Sequence, residues 1–360
     1  MLVHICCAVD SHYFLQKLQE AYPNEKLIGF FYDPNIHPYS EYRLRLLDVE
    51  RSCKMLDIPL IEGAYDVDRW MQTVKGFEKE PEKGKRCAIC FDRRFEVSAQ
   101  KASQLGEKYY TSTLLTSPKK SLKQLALAGE ALGKRYGVTF LSPDFRKASG
   151  TQEQNILAKK DALYRQDYCG CLFGLTIQRE EQQRLADELF TPLSEQIQPE
   201  SIEARLALYE ERLILEEKGV EYRITKERFL NWRVTFALLK EKNRVVTSHI
   251  LPYSVIKGEF TRGRVEYEVE GVFYMNRDEV KFISLDFYNQ LLNANYTSVK
   301  MLLFSPPPFE EEVTLRQKMG LKPYDISTVI VVDEIPKGKI TLQLKSHIYE
   351  DVQEVLRRVS

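Results

Sequence analysis

Short apolar runs alternate with longer amphipathic stretches through the first 175 residues of the chain. On the stretch 39–56, Leu46, Val49 and Cys53 recur at steps of three and four residues, which is the spacing of one buried helix face. The apolar runs are four to six residues long, and one of them ends in the turn signal Asp33-Pro34-Asn35. Such short, bounded runs are typical of buried strands.

Five strands and six helices follow from this pattern. The predicted strands cover residues 2–6, 27–32, 58–62, 109–113 and 138–141, and the predicted helices cover residues 10–21, 39–56, 66–75, 88–104, 119–136 and 152–166. Because the two types of element alternate, we predict an α/β fold with a Rossmann-like parallel sheet covered by helices on both faces.

The second half of the chain has a different pattern. Residues 176–219 are charged and helical in pattern and predict a connector, interrupted by Pro192 and Pro199. Beyond it, short β-rich runs with many aromatic residues indicate a separate, smaller α+β domain over residues 220–360, with a helix at 346–360. We therefore expect a catalytic domain over residues 1–175, a connector and an accessory domain whose role the sequence does not indicate.

Composition and charge narrow the class of protein. A chain of 360 residues is long enough for two domains, and 29% charged residues is ordinary for a soluble protein. No signal peptide or bilayer-spanning apolar run is present, so we expect a cytoplasmic protein without a membrane partner. Residues 1–175 carry a net charge of +4 and the remainder −4, which makes the first half the better candidate to meet a polyanion.

The cysteines point to metal chemistry. All 7 lie within residues 1–171, and six of them form close pairs. In a reducing compartment, closely spaced thiols are more often metal ligands or redox groups than disulfides. The paired cysteines and the acidic residue that follows the first pair are Cys6, Cys7, Asp10, Cys87, Cys90, Cys169 and Cys171.

This set of donors suits two metal centres. A cubane [4Fe–4S] cluster needs four cysteine thiolates, which leaves two thiolates and Asp10 for one further iron with open coordination positions. The alternatives are a structural zinc site, a redox pair and, for Asp10, a helix cap. Seven donors exceed the four that zinc uses, and adjacent cysteines are poorly placed to close a tetrahedral zinc site. Cys53 and His4 have the spacing of core residues.

Ordered motifs along the first half resemble a known family, the cobalamin-independent epoxyqueuosine reductases of the QueH type. The motifs are His4-Ile5-Cys6-Cys7-Ala8, Asp33-Pro34-Asn35-Ile36-His37-Pro38 with Glu41-Tyr42, Lys85-Arg86-Cys87-x-x-Cys90-Phe91-x-x-Arg94, Thr113-Leu114-Leu115-x-Ser117-Pro118, Asp144-Phe145-Arg146-Lys147 and Leu163-Tyr164-Arg165-Gln166-x-Tyr168-Cys169-Gly170-Cys171. They cover residues 1–175. Many members of the family have a cysteine where Asp10 stands, and an aspartate at that position also occurs.

The resemblance implies a HUP-like sheet, a [4Fe–4S] cluster and a mononuclear iron held by two cysteines and Asp10. It also implies the reaction, in which an epoxide in tRNA-bound epoxyqueuosine is reduced to the alkene of queuosine and its oxygen leaves as water. Which cysteines bind the cluster stays open. The sequence likewise leaves the physiological reductant open, with ferredoxin and flavodoxin as the expected kinds of electron donor.

The reaction also needs protons and a tRNA-binding surface. Removal of the epoxide oxygen takes two electrons and two protons, and Asp33 and Tyr42, after the second strand, are the candidate acids beside Asp10. Basic residues that flank the later motifs are candidates to track phosphates around the anticodon loop, although each alone is also typical of a solvated helix face. They are Lys85, Arg86, Arg94, Arg146 and Arg165, with Lys119 and Lys120 nearby.

Two other functions fit parts of the sequence. An ATP-pyrophosphatase-like enzyme that modifies tRNA would share the alternating layout, but it needs a Gly-rich phosphate loop after the first strand. Residues 6–11 contain no glycine, which argues against nucleotide binding there. A zinc-stapled RNA-binding protein without redox catalysis remains the non-enzymatic alternative.

Overall fold

The computed structural model describes residues 1–117, 121–147, 149–190, 192, 195–277, 279–322 and 325–359. The chain forms two compact units, the first made of Met1–Leu189 with Leu206–Glu221 and the second of Phe190–Arg205 with Tyr222–Ser360. The segment 176–219, for which the sequence predicts a connector, is thus divided between the two units. Within the described part of the chain, no helix is long and apolar enough to cross a bilayer.

A parallel sheet forms the centre of the first unit. Its strands are β1 (Leu2–Ile5), β2 (Ile28–Phe31), β3 (Leu60–Glu62), β4 (Tyr109–Ser112) and β5 (Thr139–Phe140). They lie in the order β3-β2-β1-β4-β5, and every neighbouring pair is parallel. All four residues of β1 are buried, as a central strand between helical layers requires. The predicted α/β, Rossmann-like fold class is confirmed.

Helices alternate with these strands and continue after β5. They are α1 (Ala8–Ala21), α2 (Tyr39–Met55), α3 (Val67–Thr73), α4 (Lys85–Gln104), α5 (Leu122–Tyr136), α6 (Gly150–Lys160), α7 (Leu172–Glu181) and α8 (Ile202–Glu217), the last of which runs from the second unit into the first. Buried side chains of β1, α1, α2 and α4 share one apolar core.

The strand order determines where a ligand site is expected in this sheet. The connection from β1 leads to β2 on one side of the sheet, whereas β4 returns to the other side of β1. In open α/β sheets, the crevice at the carboxyl ends of strands where the order reverses is the usual ligand site. Cys6 and Cys7 directly follow β1, and Thr113 directly follows β4, so all three lie at this crevice.

The second unit contains two sheets. Its strands are β6 (Tyr222–Glu241), β7 (Arg244–Val245), β8 (Ser248–Ile250), β9 (Phe260–Gly263), β10 (Val265–Val269), β11 (Val272–Met275), β12 (Val280–Ser284), β13 (Thr328–Val332) and β14 (Ile340–Arg358). The sheet orders are β10-β11-β12-β13-β8 and β7-β6-β14-β9. Over its described residues, the helices α9 (Leu285–Leu292), α10 (Val299–Phe304) and α11 (Phe309–Lys318) complete an α+β unit.

A long antiparallel ribbon replaces the helix predicted at the end of the chain. Strand β14 pairs with β6 from Ile340 opposite Glu241 to Arg358 opposite Tyr222, with an irregularity between Lys345 and Ser346. The helix prediction for 346–360 was therefore wrong over the described residues. Pairing with a strand more than a hundred residues earlier in the chain overrides the local helical spacing, because strand formation depends on its neighbours.

Candidate metal centre

The turn from β1 into α1 brings three metal-binding side chains together. Cys7 is the N-cap residue of α1, in an extended conformation, and Asp10 lies in the first turn of the helix. The ligand atoms of Cys6, Cys7 and Asp10 all lie within 4.8 Å of one another, and the two Sγ atoms are 4.0 Å apart. We call these residues the trio. Among the described residues, it is the only group of three or more such side chains this close together.

Neighbouring elements hold the trio in place. Nε2 of Gln154, on α6, donates a hydrogen bond to Oδ1 of Asp10 at 2.8 Å and a longer one to the Val9 carbonyl at 3.3 Å. Oγ1 of Thr113 lies 3.6 Å from Sγ of Cys6, and the Thr116 hydroxyl donates to the Asp10 carbonyl at 3.3 Å. The trio is therefore oriented from both α6 and the end of β4.

A hydrogen bond within the trio favours an ionised Cys6. Its hydrogen bond with Cys7 is the main cause that lowers the pKa of Cys6, and the guanidinium of Arg94 acts in the same direction, whereas the pKa of Cys7 is raised well above its usual value. Arg94 is buried, forms an ion pair with Asp33 and donates to Nε2 of His4 at 3.4 Å. Burial raises the pKa of Asp33 to about 6, against the opposing effect of Arg94 and Arg45.

Helix α4 presents the second pair of thiols in its first two turns. The backbone N–H of Lys83 donates to Sγ of Cys87 at 3.2 Å, and the indole N–H of Trp70 donates to Sγ of Cys90 at 3.4 Å. Cys90 packs with Trp70, Val74 and Cys171 in one apolar cluster. N–H donors to sulfur are a common outer-shell feature of metal–thiolate sites, so both positions suit metal ligation.

The third pair lies on a loop whose geometry requires glycine. Gly170, between Cys169 and Cys171, has φ +97°, and a Cβ atom there would lie 2.8 Å from Cγ1 of Ile36. The Gly170 carbonyl accepts a hydrogen bond from the His37 N–H at 2.8 Å, and Ile36 forms a β-bridge with Cys171. The turn after β2 therefore fixes this loop beside the sheet.

A buried arginine on α2 secures the same loop. Arg45 donates to the carbonyls of Tyr168 at 3.0 Å and Cys169 at 3.3 Å, and its Nε lies 2.6 Å from Oε1 of Glu41. The hydroxyl of Tyr164 donates to the other Glu41 oxygen at 2.9 Å. Because these groups are buried and paired, the network is costly to break, and it holds the loop against α2.

One cavity of about 350 Å³ connects the three places. Its lining includes Cys6 and Asp10 of the trio and all four of the downstream cysteines, which we call the quartet: Cys87, Cys90, Cys169 and Cys171. Cys7 is almost completely buried beside it, and Cys169 is exposed. The fold thus brings together every cysteine that the sequence singled out, and Cys53 stays in the core.

Comparisons with known proteins agree with this geometry. A sequence profile described as "Epoxyqueuosine reductase QueH" matches residues 1–176. The epoxyqueuosine reductase QueH of Helicobacter pylori is 40% identical over 367 aligned positions, which cover 98% of this chain and 98% of that protein. The chain belongs to the QueH family of epoxyqueuosine reductases.

A shorter member of the QueH family aligns with about half of this chain. The relative from Thermotoga maritima is 35% identical over 184 aligned positions, which cover 50% of this chain but 93% of that protein. Among solved structures, the "U34-tRNA thiolase NcsA from Methanococcus maripaludis with its [4Fe-4S] cluster" aligns at 15% identity with a TM-score of 0.33, over 61% of this chain and 74% of that one. A likeness this weak carries no conclusion about the site.

Of the three predicted catalytic residues, only Asp10 lines the cavity of this QueH family member. Asp33 lies behind the lining, paired with Arg94. Tyr42 is buried elsewhere and donates its hydroxyl hydrogen bond to Glu62 at 2.9 Å, so the structure does not bring it to the reaction space. The turn after β2 supplies Asn35 to the cavity instead of Tyr42.

The predicted tRNA-binding residues separate into two groups. Lys85 and Arg165 are exposed and Arg146 is half-buried. Arg86 and Arg94, by contrast, are buried: Arg86 donates to the carbonyls of Phe77 and Glu78, and Arg94 pairs with Asp33. Both arginines also line the cavity, and their contact with tRNA phosphates stays a prediction. Pro118, Lys119 and Lys120 lie outside the described residues.

Sequence reasoning missed the residues that support the ligands. Gln154, Trp70 and Arg45 come from three different helices, and each reaches the site only through long-range packing. Only Arg45 had a local signal, since Glu41 precedes it by four residues and such a pair commonly forms on a helix face. Gln154 and Trp70 had none.

Proposed function

We propose that this chain reduces the epoxide of epoxyqueuosine in tRNA to the alkene of queuosine, with a [4Fe–4S] cluster and a mononuclear iron as cofactors. The observation that supports this most strongly is the single cavity lined by two separate sets of metal-binding side chains in a QueH family member. The alignment with the Helicobacter reductase covers 98% of both chains, which also supports the same reaction.

The donor sets fit two different metal groups. Thiolates that bind one ion at about 2.3 Å lie at most about 4.6 Å apart, and the trio's ligand atoms, all within 4.8 Å, already approach this spacing. The trio also mixes sulfur and oxygen, which suits iron with open positions. A cubane attaches each thiolate to a different iron, so its four ligands stand further apart. The quartet, spread over α4 and the 169–171 loop, fits that requirement.

The reaction balances with an external reductant. Two electrons and two protons convert the epoxide into an alkene and one water as both C–O bonds break. When bound, the two metal groups would supply the electrons one at a time and the Lewis acidity that a poor leaving group needs. Cys169 is exposed, so the quartet reaches the protein surface, where a donor such as ferredoxin or flavodoxin would deliver electrons.

The chain's own residues would supply protons and position the substrate. Asp33, with its pKa raised to about 6, keeps a protonated fraction near neutral pH and is our candidate proton source beside the cavity. Oδ1 of Asn35 is buried at the cavity and has no hydrogen-bond partner among the described residues. It would accept a hydrogen bond from a substrate hydroxyl, because a buried acceptor without a partner is otherwise costly.

The tRNA would lie across the exposed side of this cavity. Lys85 and Arg165 are exposed near its rim and Arg146 is half-buried, so these three are the residues we propose for phosphate contact. A single-stranded loop suits the site, because only an unpaired, splayed base can enter a cavity of this kind. We place the reaction in the cytoplasm, where tRNA and small electron-transfer proteins meet.

A reconstitution assay tests the proposal. The full chain, reconstituted anaerobically with iron and sulfide, is incubated with epoxyqueuosine-containing tRNA and dithionite, and the digested nucleosides are separated by mass spectrometry. We expect epoxyqueuosine to be replaced by queuosine, and Cys53→Ala to behave like the unaltered chain. Stoichiometric zinc without acid-labile sulfide, or no queuosine from a chain that carries its iron and sulfide, would show the proposal to be wrong.

A further inference from the structure

The second unit contains a cavity of about 370 Å³ to which no role in the proposed reaction is attached. Its walls come from β6, β8, α10 and the segment that precedes α8, all within the second unit. The volume lies in the range of small-molecule pockets.

The lining mixes polar and apolar side chains, and among its described residues only histidine can carry a charge. The described lining residues are Gln196, Gln198, Trp232, Val234, Thr235, Phe236, Ala237, Ser248, His249, Ile250 and Leu303. None is Lys, Arg, Asp or Glu, so the cavity is poorly suited to a phosphate or carboxylate, which needs a cation in such a site. Two aromatic rings and several aliphatic side chains provide flat apolar walls.

A buried carboxylate fixes the orientation of His249. Oε1 of Glu312 lies 2.6 Å from Nε2 of His249 and accepts the Tyr288 hydroxyl at 2.9 Å, and its Oε2 accepts Nε2 of Gln196 at 2.9 Å. A carboxylate that accepts three hydrogen bonds requires that Nε2 of His249 carry the hydrogen. In the neutral ring, Nδ1 is therefore an acceptor. Since Glu312 does not line the cavity and Nδ1 has no partner among the described residues, this acceptor is available to a ligand.

Gln198 supplies the complementary donor. Its Oε1 accepts a hydrogen bond from Arg233 at 3.1 Å, which assigns the amide orientation and leaves its NH₂ group without a partner among the described residues. Gln198 is only 2% exposed, so this group faces the cavity rather than bulk solvent. The indole N–H of Trp232 already donates to the Ser254 carbonyl at 3.1 Å. Trp232 therefore offers the cavity its ring and not a donor.

We propose that this cavity binds an uncharged planar heteroaromatic group with an N–H donor beside an acceptor, which is the chemistry of a nucleobase edge. His249 accepts from the N–H, Gln198 donates to the acceptor, and the aromatic and aliphatic walls cover the ring faces. Bases in single strands are recognised by such combinations of amide side chains and stacking. The group comes either from a free nucleoside or from an unpaired base of an RNA.

Equilibrium dialysis with the full chain tests this inference. The probes are adenosine, guanosine, cytidine and uridine, with ribose 5-phosphate as the ligand without a base, and then a tRNA transcript. Ser248→Trp fills the cavity from its lining, and Val245→Trp is the matched control because that side chain is 67% exposed and outside the lining. His249→Gln keeps a donor for Glu312, but its only acceptor is the amide oxygen beside that donor, and none stands at the position of Nδ1.

We expect at least one nucleoside to bind and ribose 5-phosphate not to bind. Ser248→Trp should weaken nucleoside or tRNA binding at least tenfold, Val245→Trp should leave it unchanged, and His249→Gln should weaken it by about tenfold, as expected for one lost hydrogen bond. A loss confined to nucleosides identifies a free ligand, and a loss that extends to the transcript identifies an RNA base.

Two results would overturn the inference. One is that none of the four nucleosides binds and that Ser248→Trp leaves tRNA affinity unchanged. The other is nucleoside binding that Ser248→Trp does not weaken. The inference does not depend on the proposed reaction, because Asp10→Ala should retain nucleoside binding at this cavity, whereas Ser248→Trp should retain the full iron content.

Discussion

The trio and the quartet present thiols to one cavity in opposite ways. The trio comes from five consecutive residues at the end of a central strand, and its ligand atoms already lie within 4.8 Å of one another. The quartet joins the first two turns of α4 to a loop secured by Arg45, and Cys169 within it is exposed. A short, rigid turn favours one ion, whereas ligands from separate elements favour a larger group that spans them.

The largest effect is expected from a break in the quartet. Cys171→Ala removes a buried ligand and leaves the cluster one thiolate short, so acid-labile sulfide and epoxide reduction should both fall sharply. Iron and sulfide analysis after anaerobic reconstitution measures this. Cys53→Ala is the control, because Cys53 is also buried but lies in the core. A Cys171→Ala protein with its full sulfide content would remove Cys171 from the cluster.

A substitution of Asp33 tests whether this residue supplies protons to the cavity between the trio and the quartet. Its pKa of about 6 means that it is mainly protonated below pH 6, so the rate it supports should fall as the pH rises through that value. Asp33→Asn should lower turnover by about 10²–10⁴-fold and abolish this part of the pH profile.

The matched control for Asp33 is Asp68→Asn, an exposed aspartate on α3, which should keep both the rate and the profile. The measurement is single-turnover reduction between pH 5 and 8 with dithionite in excess. If Asp33→Asn kept the same loss of rate above pH 6, the proton would come from another group.

A milder change, the substitution of Gln154, is expected to affect the trio and leave the quartet intact. Gln154→Leu removes the 2.8 Å hydrogen bond that orients Asp10 and should weaken binding of the additional iron by about 10–100-fold, while sulfide content stays the same. Competition with a chelator measures this affinity. Gln152→Leu, two residues away and exposed on the same helix, should have no effect. Equal losses in the two variants would indicate damage to α6 rather than to the trio.

The smallest effect concerns the rim of the cavity. Arg165→Ala should weaken tRNA binding a few-fold and lower the slope of log affinity against log salt by about 0.7–0.9, as expected for one lost phosphate contact. Lys54→Ala is the control, since Lys54 lies in the last turn of α2, away from the carboxyl ends of the strands. Titrations of tRNA binding at several salt concentrations measure this slope. An unchanged slope for Arg165→Ala would show that the tRNA does not contact Arg165.

The sequence predicted the ligands better than the residues that hold them. Runs such as Leu2–Ile5 are short and apolar, so the parallel sheet and the position of Cys6 and Cys7 could be derived locally. Gln154 lies 144 residues from Asp10, and its hydrogen bond arises from the packing of α6 against α1. No periodicity in one stretch encodes a contact of that kind.

Burial also changed the interpretation of basic and acidic residues. Arg94 had the appearance of a phosphate ligand beside a cysteine pair, yet it lies on the buried face of α4 and compensates Asp33. Tyr42 shares a helix with Arg45, but its hydroxyl points to Glu62 and not to the thiols. Sequence spacing indicates which helix carries a group, whereas the sheet decides which side of that helix meets the cavity.

The central claim is that the trio binds an iron separate from the cluster of the quartet, and Asp10→Ala tests it most directly. Iron and acid-labile sulfide are measured per chain after anaerobic reconstitution, together with epoxide reduction. We predict about five irons per four sulfides in the unaltered chain and about four per four in Asp10→Ala, without turnover. An Asp10→Ala protein that kept the additional iron, or that lost sulfide together with it, would contradict the claim.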